Sequence, residues 1–182
     1  PLAAALPPAL LCALAVTALV LSDYREFRPG RYLCKPLAAI AFVWLAWSLG
    51  AADTSYGTWL LGALLLCLLG DLLLMPDRER TFLAGLGAFL CGHLLFAVAF
   101  LQLPANLAGL AVSAVPVLIL LLAVRAWLLP HVNREMKVPV MLYMLVISAM
   151  LLCAGLTASQ PAGCWIILGA WGFALSDLAV AR

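Results

Sequence analysis

The sequence has little charge, which excludes the ordinary composition of a soluble domain. Only 10% of its 182 residues are Asp, Glu, Lys or Arg, against roughly 25% in soluble globular proteins. Hydrophobic residues make up 67% of the chain, and the mean hydropathy is +1.16. The formal net charge of +2 is too small to indicate nucleic-acid binding. The composition therefore predicts a polytopic membrane protein of the all-α class.

Metal-binding side chains are also scarce. Histidine occurs only twice, as His93 and His131, so a catalytic zinc site built from several histidines is not supported. The six cysteines stand singly in apolar surroundings, without the paired spacing of a zinc site or a disulfide framework. We therefore interpret the cysteines as small hydrophobic residues and expect neither a metal nor a cofactor.

Long apolar runs, separated by charged or Pro/Gly-containing breaks, indicate transmembrane helices. Crossing the hydrocarbon takes about 20 helical residues, so this chain has room for about seven spans. We expect one transmembrane helical bundle over residues 1–182, forming a single domain. The predicted spans are Leu6–Ser22, Pro36–Gly50, Thr58–Met75, Phe82–Leu101, Leu107–Leu128, Val138–Thr157 and Ala162–Ala181, the second of which is short and is expected to start nearer Tyr32.

All ten Lys and Arg residues fall on one side of this predicted bundle. They lie between Asp23 and Lys35, in the loops after the third and fifth spans, and at two span ends. The alternate loops, around Asp53, Asn106 and Gln160, contain none. The positive-inside rule then makes the basic side cytoplasmic and places the N-terminus outside. The Ala/Leu-rich, short-looped chain favours a bacterial inner membrane over the endoplasmic reticulum.

Two acidic residues lie inside apolar runs, Asp71 in GALLLCLLGDLLLM and Asp177 in IILGAWGFALSDLAVA. A charged side chain at bilayer depth costs a few kcal/mol on insertion scales, so intramembrane acids usually face a bundle interior or a wet cavity. Such acids are retained mainly where they serve a function. We predict that Asp71 and Asp177 are the catalytic residues.

Several further polar residues are expected at the same level of the membrane. At about 1.5 Å per residue, Asp71 and Tyr143 each lie about 9 Å from the cytoplasmic edge, and Asp177 about 7.5 Å. Lys35 stands at the cytoplasmic start of the second span. These four groups come from four helices, which predicts a shared cavity open to the cytoplasmic leaflet.

Each of these polar residues also has a structural interpretation. Lys35 and Arg78 are of the type that determines topology, and Tyr143 is of the type that anchors a helix at the interface. His93 lies deeper, near mid-membrane. Its imidazole could form a structural hydrogen bond with a neighbouring helix, or it could line the cavity.

The paired acids favour a particular chemistry. Two carboxyl groups at one level in a low dielectric titrate in separate steps, because their mutual repulsion opposes double ionisation. One can therefore donate a proton while the other accepts one in the same turnover. This division of labour suits hydrolysis through an oxocarbenium-like intermediate.

Two other classes of membrane protein also use paired acids. A proton-coupled transporter of a small molecule or lipid would use them as a proton relay, but the inverted repeats typical of such transporters are not evident. An intramembrane aspartyl protease has Gly-x-Gly-Asp at one acid, whereas Leu68 occupies the first glycine position here.

The segments around these residues resemble the lysoplasmalogenase (YhhN-like) family of integral membrane hydrolases. The resemblance rests on Lys35-Pro36, LLGDLLLM, FLAGLGAFLCGHLLFAVAF, VPVMLYMLVISAML and WGFALSDLAVAR, in this order. It covers most of the chain, from about Lys35 to Arg182. Members of the family have eight transmembrane helices, so the resemblance implies that a final C-terminal helix is absent from these 182 residues.

The resemblance also implies an activity. The family cleaves the vinyl-ether bond of lysoplasmalogens to a fatty aldehyde and glycerophospho-ethanolamine or glycerophospho-choline. Asp71 and Asp177 would then be the acid and base, and the partners would be a lysophospholipid substrate and the surrounding membrane lipids. Substrate-binding roles are expected for Lys35, Tyr143, His93, Arg78 and Arg182.

Overall fold

The computed structural model describes residues 2–25, 27–76 and 78–180. Over these ranges all regular structure is helical, which confirms the all-α class and the expected seven helices. Three short 3₁₀ turns lie in the connections, at Ala51–Asp53, Leu129–His131 and Arg134–Met136. The helices are α1 (Leu2–Tyr24), α2 (Arg28–Ser48), α3 (Ser55–Leu73), α4 (Glu79–Leu101), α5 (Leu107–Leu128), α6 (Lys137–Leu156) and α7 (Gly163–Val180).

Five segments are long and apolar enough to cross a membrane as helices: Ala3–Tyr24, Ser55–Leu73, Glu79–Leu101, Leu107–His131 and Arg134–Leu156. The apolar parts of α2 and α7, Tyr32–Ser48 and Gly163–Ala179, are shorter. Large hydrophobic side chains are exposed along all seven helices, as expected of surfaces that face lipid. The chain is an integral membrane protein.

The second helix starts earlier than the apolar run predicted. It begins at Arg28, with Pro29 in its first turn, and continues through Pro36. Proline fits the first turn because the N–H that it lacks has no partner there anyway. The hydropathy pattern did not predict this start, because it cannot distinguish a charged first turn of a helix from a charged loop. The extra turns place Tyr32 and Lys35 inside a helix.

The described residues up to Leu95 form one compact unit of α1, α2, α3 and most of α4. In this unit α1 packs on α2, and α2 packs on α3. The third and fourth helices approach closely at Gly70, where an added Cβ would lie 2.7 Å from the Phe89 ring and 3.2 Å from the carbonyl oxygen of Gly85. Glycine at position 70 thus permits the close contact directly beside Asp71.

The second compact unit starts at Phe96 and contains the end of α4 with α5, α6 and α7. Here α5 packs on α6, and α6 packs on α7. A Cβ added to Gly109 would collide with the carbonyl oxygen of Gly155, and one added to Gly155 would collide with the Ser113 side chain. Small residues at this crossing therefore let the two backbones touch, as in many membrane helix pairs. The rings of Phe96 and Phe173 add an edge-to-face contact at 5.8 Å.

Candidate active site

The first acid forms an ion pair. Nζ of Lys35 on α2 lies 2.9 Å from Oδ1 of Asp71 on α3. The two side chains are 40% and 22% exposed, so the pair is half-buried against the helices and reachable from outside them. An ammonium group at this distance compensates the charge of a carboxylate, which explains how an acid is accommodated in an apolar helix.

A second contact joins α2 to the turn that follows α3. The Tyr32 hydroxyl donates to the carbonyl oxygen of Met75 at 3.0 Å. Tyr32 precedes Lys35 by three residues and therefore shares its helix face, while Met75 follows Asp71 by four. Sequence reasoning missed Tyr32, although its spacing from Lys35 is the signal that could have revealed it. The hydroxyl contact fixes the register in which Lys35 meets Asp71.

The second acid has a neutral partner. The hydroxyl of Tyr143 on α6 donates to Oδ2 of Asp177 on α7 at 3.1 Å. Asp177 is also half-buried. The helix packing that supports this pair includes the buried side chains of Ile147 and Ala174, each one turn along its helix. This is a hydroxyl–carboxyl contact, whereas the contact of Asp71 with Lys35 is an ion pair.

The remaining predicted site residues are distributed along the fold. His93 is fully buried in α4, and its Nδ1 donates to the carbonyl oxygen of Phe89 one turn earlier, at 2.6 Å. Arg78 is exposed and directly precedes α4. Arg182 lies outside the described residues. The other histidine, His131, is exposed in a connection and donates from Nδ1 to the Trp127 carbonyl oxygen at 2.8 Å.

The described residues contain no cluster of three or more His, Cys, Asp or Glu side chains that could hold a metal ion. The groups that the two acid pairs offer for chemistry are carboxyl, ammonium and hydroxyl groups. A carboxyl group can donate or accept a proton, and a carboxylate can stabilise positive charge.

The chain is 38% identical to lysoplasmalogenases of Mycobacterium bovis and of Mycobacterium tuberculosis over 124 residues, which cover 65% of the chain and 47% of each relative. The chain thus spans about half the length of the curated relatives it matches. No solved structure matches it. The sequence profile of the YhhN family matches residues 30–182, a stretch that contains both acid pairs, and the chain belongs to this family.

Proposed function

We propose that this protein is a lysoplasmalogenase, which hydrolyses the vinyl-ether bond of alkenyl-glycerophosphoethanolamine or alkenyl-glycerophosphocholine. The products are a fatty aldehyde and the glycerophospho-alcohol. Membership of the YhhN family and the similarity to the two mycobacterial lysoplasmalogenases support this activity. The observation that carries the proposal is the different pairing of the two acids, Asp71 with an ammonium group and Asp177 with a hydroxyl group.

The contacts of the two acids suggest which one donates the proton and which one stabilises positive charge. Asp71 forms an ion pair with Lys35, and a carboxylate in an ion pair is suited to stabilise positive charge. Asp177 accepts a hydrogen bond from the Tyr143 hydroxyl, which can orient its carboxyl group. We therefore assign proton donation to Asp177, and stabilisation of positive charge to Asp71.

The reaction starts at the electron-rich β-carbon of the vinyl ether. The Asp177 carboxyl transfers its proton to this carbon, and the π electrons of the double bond form the new C–H bond. Positive charge then spreads over the α-carbon and the ether oxygen, where the Asp71 carboxylate stabilises it. Water adds to the α-carbon and passes a proton to Asp71, which gives a hemiacetal.

The hemiacetal then collapses. Its C–O bond to glycerol breaks, the glycerol oxygen takes up a proton as the hydroxyl oxygen loses one, and the aldehyde leaves. Proton exchange with water resets the two acids. Tyr143 orients Asp177, and the substrate phosphate is placed near Lys35, Arg78 and Arg182, whose cationic groups suit phosphate oxygens. His93 shapes the deeper part of the site.

Incubation of purified protein with a lysoplasmalogen in D₂O tests the proposed function. We expect release of a fatty aldehyde with one deuterium on the carbon next to the carbonyl, because that carbon receives the proton. An ester-linked lysophospholipid of the same chain length is the control and should remain intact. Proton-coupled transport without aldehyde release would overturn the assignment as a hydrolase.

A further inference from the structure

Asp71 lies in the last turn of α3, where a helix is held least firmly. The helix ends at Leu73, two residues after the acid. The N–H of Met75 donates to the carbonyl oxygen of Leu72 at 3.3 Å, so the last turn is tightened beyond the regular α-helical pattern. Helix ends fray more easily than helix centres. The position of the Asp71 carboxyl group therefore depends on what holds this turn in place.

Two hydroxyl groups hold the segment that follows α3. The Tyr32 hydroxyl, from α2, donates to the carbonyl oxygen of Met75 at 3.0 Å. The Thr81 hydroxyl, from α4, donates to the carbonyl oxygen of Pro76 at 3.2 Å. The Thr81 contact is local to the start of α4, whereas the Tyr32 contact connects this segment to the helix that carries Lys35.

The two contacts between α2 and the end of α3 differ in stiffness. Lysine has a flexible four-carbon stem, so its ammonium group can follow a carboxylate through many positions or turn to water. A half-exposed ion pair of this kind does not by itself fix the acid. Tyrosine has only two side-chain torsions and a rigid ring, so its hydroxyl group is placed more narrowly. Tyr32 shares a helix face with Lys35 three residues later, and its contact therefore limits how far Asp71 can move from the ammonium group.

We propose that Tyr32 is a positioning residue for the reaction. Its hydroxyl group holds the last turn of α3 against α2, so that the Asp71 carboxylate stays within 2.9 Å of the Lys35 ammonium group. The effect on turnover rests on the proposed function, in which this carboxylate stabilises positive charge. Tyr32 acts through the ion pair and does not touch the reacting atoms.

Removal of one hydroxyl group tests the proposal. In Tyr32→Phe we expect kcat to fall about three- to tenfold, because the variant loses one neutral hydrogen bond. KM should change little, since the hydroxyl group positions the acid and does not bind the lipid. Tyr24→Phe removes a hydroxyl group from a tyrosine of α1 that is 88% exposed, and it should keep the wild-type kcat.

A double-mutant cycle separates positioning from a general structural role. In the Lys35→Met background, Tyr32→Phe should cause less than about a twofold further loss of kcat, because no ion pair remains to be positioned. The same fold loss in both backgrounds would overturn the proposal. So would a rise in KM at constant kcat, or a kcat of Tyr32→Phe equal to that of Tyr24→Phe.

A wild-type protein that releases no aldehyde would overturn the proposed function, and the ion pair then has its own readout. Dicyclohexylcarbodiimide modifies protonated carboxyl groups in membrane proteins, and an ammonium partner favours the ionised form, which does not react. We expect Tyr32→Phe to raise the labelling rate at Asp71 about threefold, and Lys35→Met to raise it further. The rate at Asp177, in the second compact unit, should stay unchanged in both variants. Equal labelling of Asp71 in wild type and Tyr32→Phe would overturn the positioning role.

Discussion

At the scale of single residues, Asp71 and Asp177 differ by their partners rather than by their own chemistry. Lys35 gives the first acid a charged neighbour at 2.9 Å, and Tyr143 gives the second a neutral donor at 3.1 Å. Each partner is supplied by a different helix from the acid it contacts. The proposed division between base and acid therefore depends on two side chains that transfer no proton in the proposed reaction.

Removing the ammonium group tests the first of these partners. In Lys35→Met we expect kcat to fall about tenfold or more. The reason is that a hydrogen bond between charged groups contributes more than one between neutral groups. Lys35→Arg should recover part of the loss. Lys137→Met removes an exposed lysine at the start of α6 and serves as the control. Equal kcat values for Lys35→Met, Lys137→Met and wild type would remove Lys35 from the site.

Removing the hydroxyl group tests the second partner. Tyr143→Phe keeps the ring but loses the contact to Asp177, so we expect kcat to fall about three- to tenfold, since a neutral hydrogen bond is weaker. KM should change little, because the hydroxyl acts on the acid and not on the lipid. Tyr24→Phe, on a tyrosine that is 88% exposed, is the matched control. A rise in KM at constant kcat would instead mean that Tyr143 binds substrate.

The residue types of the site were predictable from sequence, but most of its contacts were not. An isolated Asp in an apolar run is visible in the sequence itself, as is a tyrosine at the same depth. The contact between Tyr32 and the Met75 carbonyl oxygen was not foreseen, because α2 was expected to begin at or after Tyr32.

At the scale of helices, backbone contact at glycine decides how the elements meet. Gly109 and Gly155 bring α5 and α6 together, and Gly70 brings α3 against α4 beside Asp71. Hydropathy located the helices well, because an apolar run of about 20 residues has the length of a membrane-spanning helix. It failed at the start of α2, where arginine and proline occupy the first turn.

A pair of glycine substitutions tests this view of the packing. Gly155→Ala places a methyl group on the Ser113 side chain, so we expect the melting temperature in detergent to fall by about 5 °C or more. Gly172→Ala is the control, because apart from its chain neighbours and its own helix backbone no described atom lies within 4 Å of its added Cβ. Alanine favours helix over glycine, so this control should melt at or slightly above the wild-type temperature. Equal melting of both variants would contradict a tight crossing at Gly155.

At the scale of the whole molecule, orientation in the membrane is predicted from the distribution of basic residues. The loop between α5 and α6 contains Arg134, whereas the loop between α6 and α7 has no Lys or Arg. The positive-inside rule makes the first loop cytoplasmic and the second external. The substrate headgroup would then be handled at the cytoplasmic leaflet, where the charged helix ends are expected. Sequence alone supplies this prediction, since helix packing does not distinguish the two sides of a membrane.

Cysteine labelling tests the orientation. In a background without the six native cysteines, Asn133→Cys and Ser159→Cys each place one thiol at an exposed loop position. We expect a membrane-impermeant maleimide to label Ser159→Cys in intact cells and Asn133→Cys only after permeabilisation. The opposite labelling pattern would mean that the orientation is reversed and that the proposed site lies in the external leaflet.

The most direct measurement is aldehyde release from a lysoplasmalogen by purified wild type, Asp71→Asn and Asp177→Asn. Asparagine keeps the shape of each side chain but removes its acid–base chemistry, so we predict a loss of about a thousandfold in each variant. Unchanged elution and melting would show that both variants remain folded. Turnover close to that of the wild type in either folded variant would contradict catalysis by these two acids.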